Sequence, residues 1–244
     1  MLFATPDLSS RGSPEPVDPE RHAKLAAEPL NDNKTHPKST VEAGHGFAGM
    51  EYGRMAKQFP RLEPHHRRFI EAQHMFFTAS AASTGHVNVT PRSSDMFRVL
   101  SDNAVMYLDR TGSGNETAAH LKADGRLTIM FCAVAGPPLI MRLYGKGRVI
   151  HRDSAEFSER LAKHFNNDAP LGARQMIHLD FDLVQTSCGY GVPLFEYQEE
   201  RPQMDAWARA KGADGIEDYW RQKNQMSLDG LSTGLFDEPE APSR

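Results

Sequence analysis

The chain has 244 residues, a formal net charge of -4 and two cysteines. This length can bury a sizeable core without disulfides or a structural metal, and the acidic balance argues against binding nucleic acid through a broad basic face. No run of about 18 apolar residues is present and the first residues lack the pattern of a secretory leader, so we expect a soluble, cytoplasmic protein.

Composition predicts three segments. Residues 1–48 are rich in proline, serine and charged residues and lack apolar periodicity, which predicts a disordered or extended N-terminal arm. Residues 49–200 carry the apolar runs and turn signals of the folded domain. Residues 201–244 contain two amphipathic helical patterns, anchored by residues such as Trp207 and Trp220, and a tail. We expect this last segment to pack on the folded domain or on a partner subunit.

The apolar runs of the middle segment predict six strands, over residues 75–80, 86–90, 105–108, 127–133, 139–150 and 175–186. Short strands with only brief helices between them favour a closed or nearly closed antiparallel barrel over a doubly wound sheet. Gly145 and Gly147 fall inside a long strand and predict a bulge or bend there. The predicted fold class is therefore mainly β with peripheral helices.

The second predicted strand has one polar face. In the sequence HVNVT, Val87 and Val89 alternate with His86, Asn88 and Thr90. The strand runs into Pro-Arg-Ser-Ser, so hydroxyls and the guanidinium of Arg92 are delivered to a single place.

A glycine-bearing loop follows the third predicted strand. Gly112 and Gly114 precede a predicted helix over residues 116–123, and hydroxyl residues lie beside them. Free N–H groups at a helix N-terminus bind phosphate and similar anions well. The same residues also fit a plain turn in which Ser113 or Asn115 caps the helix. The loop alone leaves both interpretations open.

Several long blocks resemble one family. HVNVTPRSSDMFRVL, YLDRTGSGNETAAHLKADGRLTIMFCA, GPPLIMRLYGKGRV, SCGYGVP and NQMSLDGL occur in this order between about residues 69 and 231. With these blocks the chain resembles the pyridoxamine 5'-phosphate oxidase-like superfamily of flavin-binding split barrels, and within it the branch of pyridoxamine phosphate oxidase family proteins.

The resemblance implies a homodimer of six-stranded antiparallel split β-barrels, with FMN at sites built from both subunits. In such relatives the phosphate is held by the second strand and by the loop that opens the helix after the next hairpin. Here the resemblance assigns cofactor binding to Asn88, Thr90, Arg92, Ser93, Thr111, Ser113, Asn115 and Thr117.

The helix-opening loop departs from the family pattern. Well-known oxidases of the family carry an Arg-Lys pair where this chain has Glu116 and Thr117. The resemblance then leaves Arg92 to supply the missing charge, with Lys122 or Arg126 as a helper. A carboxylate beside a phosphate dianion is repulsive, so we expect Glu116 to turn outward or to contact a partner subunit.

The resemblance implies an FMN-dependent oxidoreductase that acts on a small organic substrate. Candidate catalytic residues are Cys188, as a redox thiol, and Tyr190, as a flavin-stacking or proton-donating group; plain packing roles are the alternative for both. The C-terminal residues lack the Arg and His set with which the well-known oxidases bind their substrate's phosphate. Pyridoxamine phosphate is therefore not the expected substrate.

Two other functions stay open. One is a non-catalytic protein that binds flavin or haem. In the case of haem, His86 or His120 would be the axial ligand. The other is a deazaflavin-dependent reductase, because those enzymes share the split barrel. No histidine or cysteine spacing predicts a metal site.

Overall fold

The computed structural model describes residues 56–237 of the chain. The predicted arm, residues 1–48, lies outside these described residues. The described elements, in chain order, are β1 (Lys57–Phe59), α1 (Pro64–Glu71), β2 (Met75–Ser80), β3 (Asn88–Ser93), β4 (Phe97–Val99), β5 (Ala104–Arg110), α2 (Glu116–Ala123), β6 (Arg126–Cys132), β7 (Ile140–His151), α3 (Ala155–Phe165), β8 (Ala173–Ser187) and α4 (Gln203–Lys223).

The described strands form one antiparallel sheet in the order β3-β2-β6-β7-β8-β5-β4, with β1 also paired to β8. All six predicted strands are present, and the mainly β fold class is confirmed. The predicted strand number was too low for this part of the chain, because β1 and β4 are also paired in the sheet. Each has only three residues, which is too short for an alternation to show in the sequence.

The sheet curls until residues near its two edges meet. Strands β3 and β4 are the two ends of the strand order. Nevertheless Arg92 of β3 forms an ion pair with Asp109 of β5, and Phe76 of β2 packs against Phe97 of β4 with ring centroids 4.9 Å apart. This curl forms the split barrel and brings β3 close to β5. We call the line along which these two strands face each other the seam.

Side-chain alternation along the strands fills the inside of the curl. Phe131, Ile129 and Leu143 are among its fully buried side chains. The predicted bulge is confirmed: the β7–β8 register shifts between Tyr144 and Gly145. A Cβ on Gly145 would lie 2.0 Å from the carbonyl oxygen of Asp180, so the close approach of these backbones requires glycine.

The predicted division of β3 into two faces is also confirmed. Asn88, Thr90 and Arg92 are partly buried on the inner face, whereas Val87 and Val89 are 71% and 61% exposed. The strand begins and ends later than predicted and contains Pro91, which an edge strand tolerates. The polar face of β3 therefore points toward the seam.

The helices agree closely with their local signals. Helix α2 covers the predicted residues, and α3 is capped by Ser154, whose Oγ accepts the Phe157 amide hydrogen at an N···O distance of 3.1 Å. Helix α4 is interrupted at Gly212, where φ is +66°, so its two halves correspond to the two predicted helical patterns. None of the helices within residues 56–237 is long and apolar enough to cross a membrane.

Candidate functional site

A cavity of about 860 Å³ lies at the seam. Its walls come from β3, β5, the start of α2, and residues 195–201 before α4. The eight residues predicted to bind a cofactor all line it: Asn88, Thr90, Arg92, Ser93, Thr111, Ser113, Asn115 and Thr117. The curl thus brings two segments that are distant in sequence to one cavity.

The loop from Thr111 to Asn115 is held by its carbonyl groups. Arg174 Nη1 donates to the carbonyl oxygen of Gly114 at 2.9 Å, and Asn224 Nδ2 donates to that of Gly112 at 3.2 Å. In contrast, the amide hydrogens of residues 112–118 find no acceptor among the described residues. The scaffold therefore fixes the loop while its N–H groups stay available.

Thr111 anchors the loop rather than presenting a free hydroxyl. Its Oγ donates to the carbonyl oxygen of Gly172 at 2.7 Å and accepts from Trp220 Nε1 at 2.7 Å. The side chain is also buried. The hydroxyl of Thr111 is thus occupied by the protein itself.

Asn115 occupies the N-cap position of α2 but does not cap the helix with its side chain. Its Oδ1 accepts from Gln175 Nε2 at 2.8 Å, which leaves Nδ2 buried without a partner. A buried, unpaired donor is costly unless a ligand or water accepts its hydrogen bond. An anion or another acceptor in the cavity would satisfy this donor, whereas a plain capped turn would leave it unpaired.

A buried cluster of three charges lies beside the loop. Asp109 is 1% exposed and pairs with Arg92 Nη1 at 2.5 Å and with Arg174 Nε at 2.8 Å. Burial alone would raise the pKa of Asp109, but the two guanidinium groups outweigh it and hold the pKa below its ordinary value. One carboxylate between two guanidinium groups leaves one net positive charge within this cluster, and the carboxylate of Glu116, which also lines the cavity, balances it.

Tyr107 lines the cavity beside these charges. The Arg92 guanidinium lies 4.8 Å from the centre of its ring. Burial raises the pKa of Tyr107 to about 12, so the phenol is neutral at physiological pH. Its buried Oη has no hydrogen-bond partner among the described residues.

The second cation of the site was missed by sequence reasoning. Arg174 lines the cavity beside Arg92, whereas Lys122 and Arg126 pair with surface aspartates and do not line it. Arg174 is the second residue of β8, whose first seven residues are all buried, and the predicted strand began after it. A charged residue at a buried strand position was the signal that could have identified it.

Glu116 was expected to turn outward or to contact a partner subunit, and within the described residues it is partly buried instead of turning outward. Its carboxylate folds back over the loop, since a Cβ on Gly114 would lie 2.6 Å from Glu116 Oε1. The other oxygen, Oε2, is buried and has no partner among the described residues. The free amides of the helix start attract a carboxylate, which explains the inward position.

The two candidate catalytic residues lie elsewhere. Cys188 and Tyr190 follow β8 and do not line the cavity, and both are exposed. The single chain therefore does not bring them to the site.

The two candidate haem ligands are also outside the cavity lining. His86 Nδ1 is 2.6 Å from Asp229 Oδ1, and buried His120 Nδ1 is 3.0 Å from Ser80 Oγ. Both imidazoles are thus engaged in the scaffold.

One group of potential metal ligands occurs within residues 56–237. Glu63, His65 and His66 place ligand atoms within 4.8 Å of one another. However, His66 Nδ1 accepts the backbone N–H of Glu63 in a capping box at the start of α1. The group is explained by helix capping and lies outside the cavity.

An antiparallel split barrel with a glycine-bearing loop of unpaired amides at its seam is the class of protein that the fold and the site define. A family model described as Pyridoxamine 5'-phosphate oxidase matches residues 62–188. The chain is also 36% identical over 189 residues to the pyridoxamine 5'-phosphate oxidase family protein ustO of Aspergillus flavus, covering 71% of this chain and 76% of that protein. The chain belongs to the pyridoxamine 5'-phosphate oxidase family.

Solved structures similar to part of the chain have lower identity. An FMN-binding protein of Syntrophomonas wolfei is 16% identical, with a TM-score of 0.36 over 49% of this chain and 82% of that one. HutZ, the heme storage protein of Vibrio cholerae, is 16% identical, with a TM-score of 0.38 over 50% of this chain and 93% of that one.

Proposed function

We propose that the chain binds FMN in the seam cavity and acts as an FMN-dependent oxidoreductase on a small organic substrate. The observation that carries the proposal is the row of amides from residue 112 to residue 118 without acceptors, at a helix start and beside two arginines. Such a combination of dipole, amides and guanidinium groups suits a phosphate ester. Membership of the pyridoxamine 5'-phosphate oxidase family supports the choice of a flavin.

The residues of the cavity fit this cofactor. Arg92, Arg174 and the loop amides would hold the phosphate, and Asn115 Nδ2 would donate one further hydrogen bond. The hydroxyl of buried Thr117 accepts from Asn88 Nδ2 at 3.1 Å and keeps its own hydrogen to donate. When bound, the flavin would supply two-electron redox chemistry, while the protein orients the substrate and excludes water.

Two measurements on the purified full-length protein test the proposal. The visible spectrum should show the two bands of a flavin, whereas a single deazaflavin band or a haem Soret band would contradict it. In calorimetric titrations FMN should bind about ten- to a hundredfold more tightly than riboflavin, because only FMN carries the phosphate. Equal affinities for the two flavins would contradict the phosphate assignment.

A further inference from the structure

Glu116 is the only charged residue between Thr111 and Thr117, and it lines the cavity. Its carboxylate lies over the loop, because a Cβ on Gly114 would be 2.6 Å from Glu116 Oε1 and 3.3 Å from Oε2. A phosphate bound by the free amides of residues 112–118 would therefore have this carboxylate as a neighbour.

The carboxylate of Glu116 has an unused acceptor. Its Oε2 is buried and has no hydrogen-bond partner in the described part of the chain. Neither oxygen forms an ion pair with a lysine, arginine or histidine within 4.0 Å among residues 56–237. A buried carboxylate oxygen without a donor costs free energy, so the position favours a ligand group that supplies a hydrogen.

The preceding residue, Asn115, has the opposite requirement. It is 2% exposed, lines the same cavity, and leaves Nδ2 buried without a partner among the described residues. Its Oδ1 already accepts from Gln175, so a hydrogen-bond donor is what remains. Two consecutive residues of the cavity wall thus leave one acceptor and one donor unsatisfied. A ligand group that satisfies both must donate and accept at the same time.

The charges around the loop favour a protonated anion. Arg92 and Arg174 carry two positive charges, and Asp109 and Glu116 carry two negative ones, so the four groups balance. A phosphate monoester dianion would add two negative charges to this balanced set, whereas its singly protonated form adds one. The singly protonated form also has a P–OH group that donates and other oxygens that accept.

We propose that the loop binds its phosphate with one proton retained, and that Glu116 selects this form by accepting the hydrogen bond of the P–OH group. Asn115 and the loop amides donate to the other oxygens of the same phosphate. This rests on the proposed function in one respect, because the phosphate is taken to be that of FMN. The ligand class is a phosphate monoester; a sulfate or a phosphodiester, which has no such hydrogen at neutral pH, is selected against.

Proton uptake during FMN binding provides the first test. A phosphate monoester loses its second proton with a pKa of about 6, so binding above that pH must take up about one proton. Calorimetric titrations of the full-length protein in two buffers of different ionisation enthalpy, at about pH 7.5, measure this number. The affinity for FMN should also fall by up to about tenfold per pH unit above neutrality. Riboflavin, which has no phosphate, should bind without proton uptake.

Other groups around the loop do not account for such an uptake. The charged and titratable groups on the neighbouring elements are Arg92, Tyr107, Asp109, Arg110, Arg174 and Asp205. Guanidinium groups and carboxylates ordinarily keep their charge between about pH 6 and 8. Burial raises the pKa of Tyr107 to about 12, so its phenol stays neutral. Among the described residues His74 is the one imidazole that lines the cavity, and His74→Gln should retain the proton uptake.

The variant Glu116→Gln replaces the carboxylate with an amide of the same shape that donates a hydrogen bond. It should bind FMN without proton uptake, and at about pH 8 it should bind FMN roughly tenfold more tightly than the wild type. Glu159→Gln on α3, exposed and outside the cavity lining, is the matched control and should keep the wild-type affinity and proton uptake.

A second test uses inorganic ions and no flavin. At about pH 8 inorganic phosphate is mainly a dianion with the charge and shape of sulfate, and it differs from sulfate by one hydrogen. In calorimetric titrations at matched ionic strength, wild-type protein should bind phosphate about tenfold or more tightly than sulfate. Glu116→Gln should bind the two ions about equally.

The outcomes separate the two proposals. FMN binding by the wild type without proton uptake, or equal uptake in the wild type and Glu116→Gln, would overturn the role of Glu116 and leave FMN binding intact. Absence of FMN binding would overturn the proposed function, while a preference for phosphate over sulfate that disappears in Glu116→Gln would still support the role of Glu116.

Discussion

Arg92 has two roles at the seam, because it balances Asp109 and also faces the cavity. Replacing it with alanine should weaken FMN binding about ten- to a hundredfold, since a charge-assisted contact contributes roughly 1.5 to 3 kcal/mol. Riboflavin, which lacks the phosphate, should bind nearly as before. Calorimetric titration of both flavins measures the difference.

A second arginine provides the control for this experiment. Arg126 pairs with Asp124 on the surface and does not line the cavity, so Arg126→Ala should bind both flavins like the wild type. Equal losses for FMN and riboflavin in Arg92→Ala would instead assign Arg92 to the scaffold. Thr117→Lys would restore the lysine that the well-known oxidases of the family carry at this position. It is not a usable test of added charge, because Thr117 is buried and hydrogen-bonded to Asn88.

Asp109 makes the stability of the seam depend on pH. Its pKa is lower in the folded protein than the ordinary value of about 3.9, so it stabilises the fold above about pH 4 and loses that contribution as the pH falls through its folded pKa. Wild-type protein should therefore unfold at lower urea concentrations as the pH is lowered below about 4.

Asp109→Asn should remove part of this pH dependence. At neutral pH it should also cost about 3 kcal/mol or more, because two buried guanidinium groups lose their shared carboxylate. The exposed pair Asp124–Arg126 offers a control, and Asp124→Asn should hardly move the urea midpoint at pH 7. An unchanged midpoint in Asp109→Asn would show that the buried cluster does not stabilise the seam.

At the scale of elements, features that depend on nearby residues were predicted more accurately than features that depend on the pairing of distant strands. Helix α2 was predicted to the residue, because the glycines that precede it mark its start nearby in sequence. Most strands were recognised from their apolar residues, with ends that differ by a few positions.

The cluster of Asp109 with Arg174 could not be predicted from either residue alone. It depends on the β5–β8 register, which aligns Asp109 with Gln175 across more than 60 positions of sequence. The predicted loop was identified because glycine and hydroxyl residues mark it locally, whereas its second cation comes from a distant strand. The charge balance of this site therefore depends on which strands pair and in which register.

The bulge in β7 gives a prediction for an element. Gly145→Ala places a Cβ against the Asp180 backbone, so the strands must separate locally, at a cost of about 1 to 3 kcal/mol or more. Thermal unfolding should show a clear loss of stability. Gly191→Ala is the matched control, since nothing lies within 4 Å of its Cβ; comparable melting temperatures for both variants would contradict the close approach.

At the scale of the whole molecule, we propose a homodimer. Edge strand β3 exposes Val89, and Val87 just before the strand is exposed as well; apolar side chains at a sheet edge favour contact with a second chain. Light scattering should give about twice the 27.2 kDa of one chain.

Val89→Lys should shift this dimer toward monomer, because a charge would be buried at the contact. Leu228→Lys alters an even more exposed apolar residue elsewhere and serves as the control. A wild-type monomer that retains its full FMN affinity would rule out a site that needs both copies.

The bond from Trp220 to Thr111 ties an indole to the loop at the seam. The chain has only two tryptophans, and the other, Trp207, packs against Tyr219 in α4 with ring centroids 5.2 Å apart. A Trp207→Phe chain would therefore emit from a single indole that is buried and hydrogen-bonded to the loop. Its emission wavelength and lifetime would follow any loop movement without a label, even when the bound molecule is colourless.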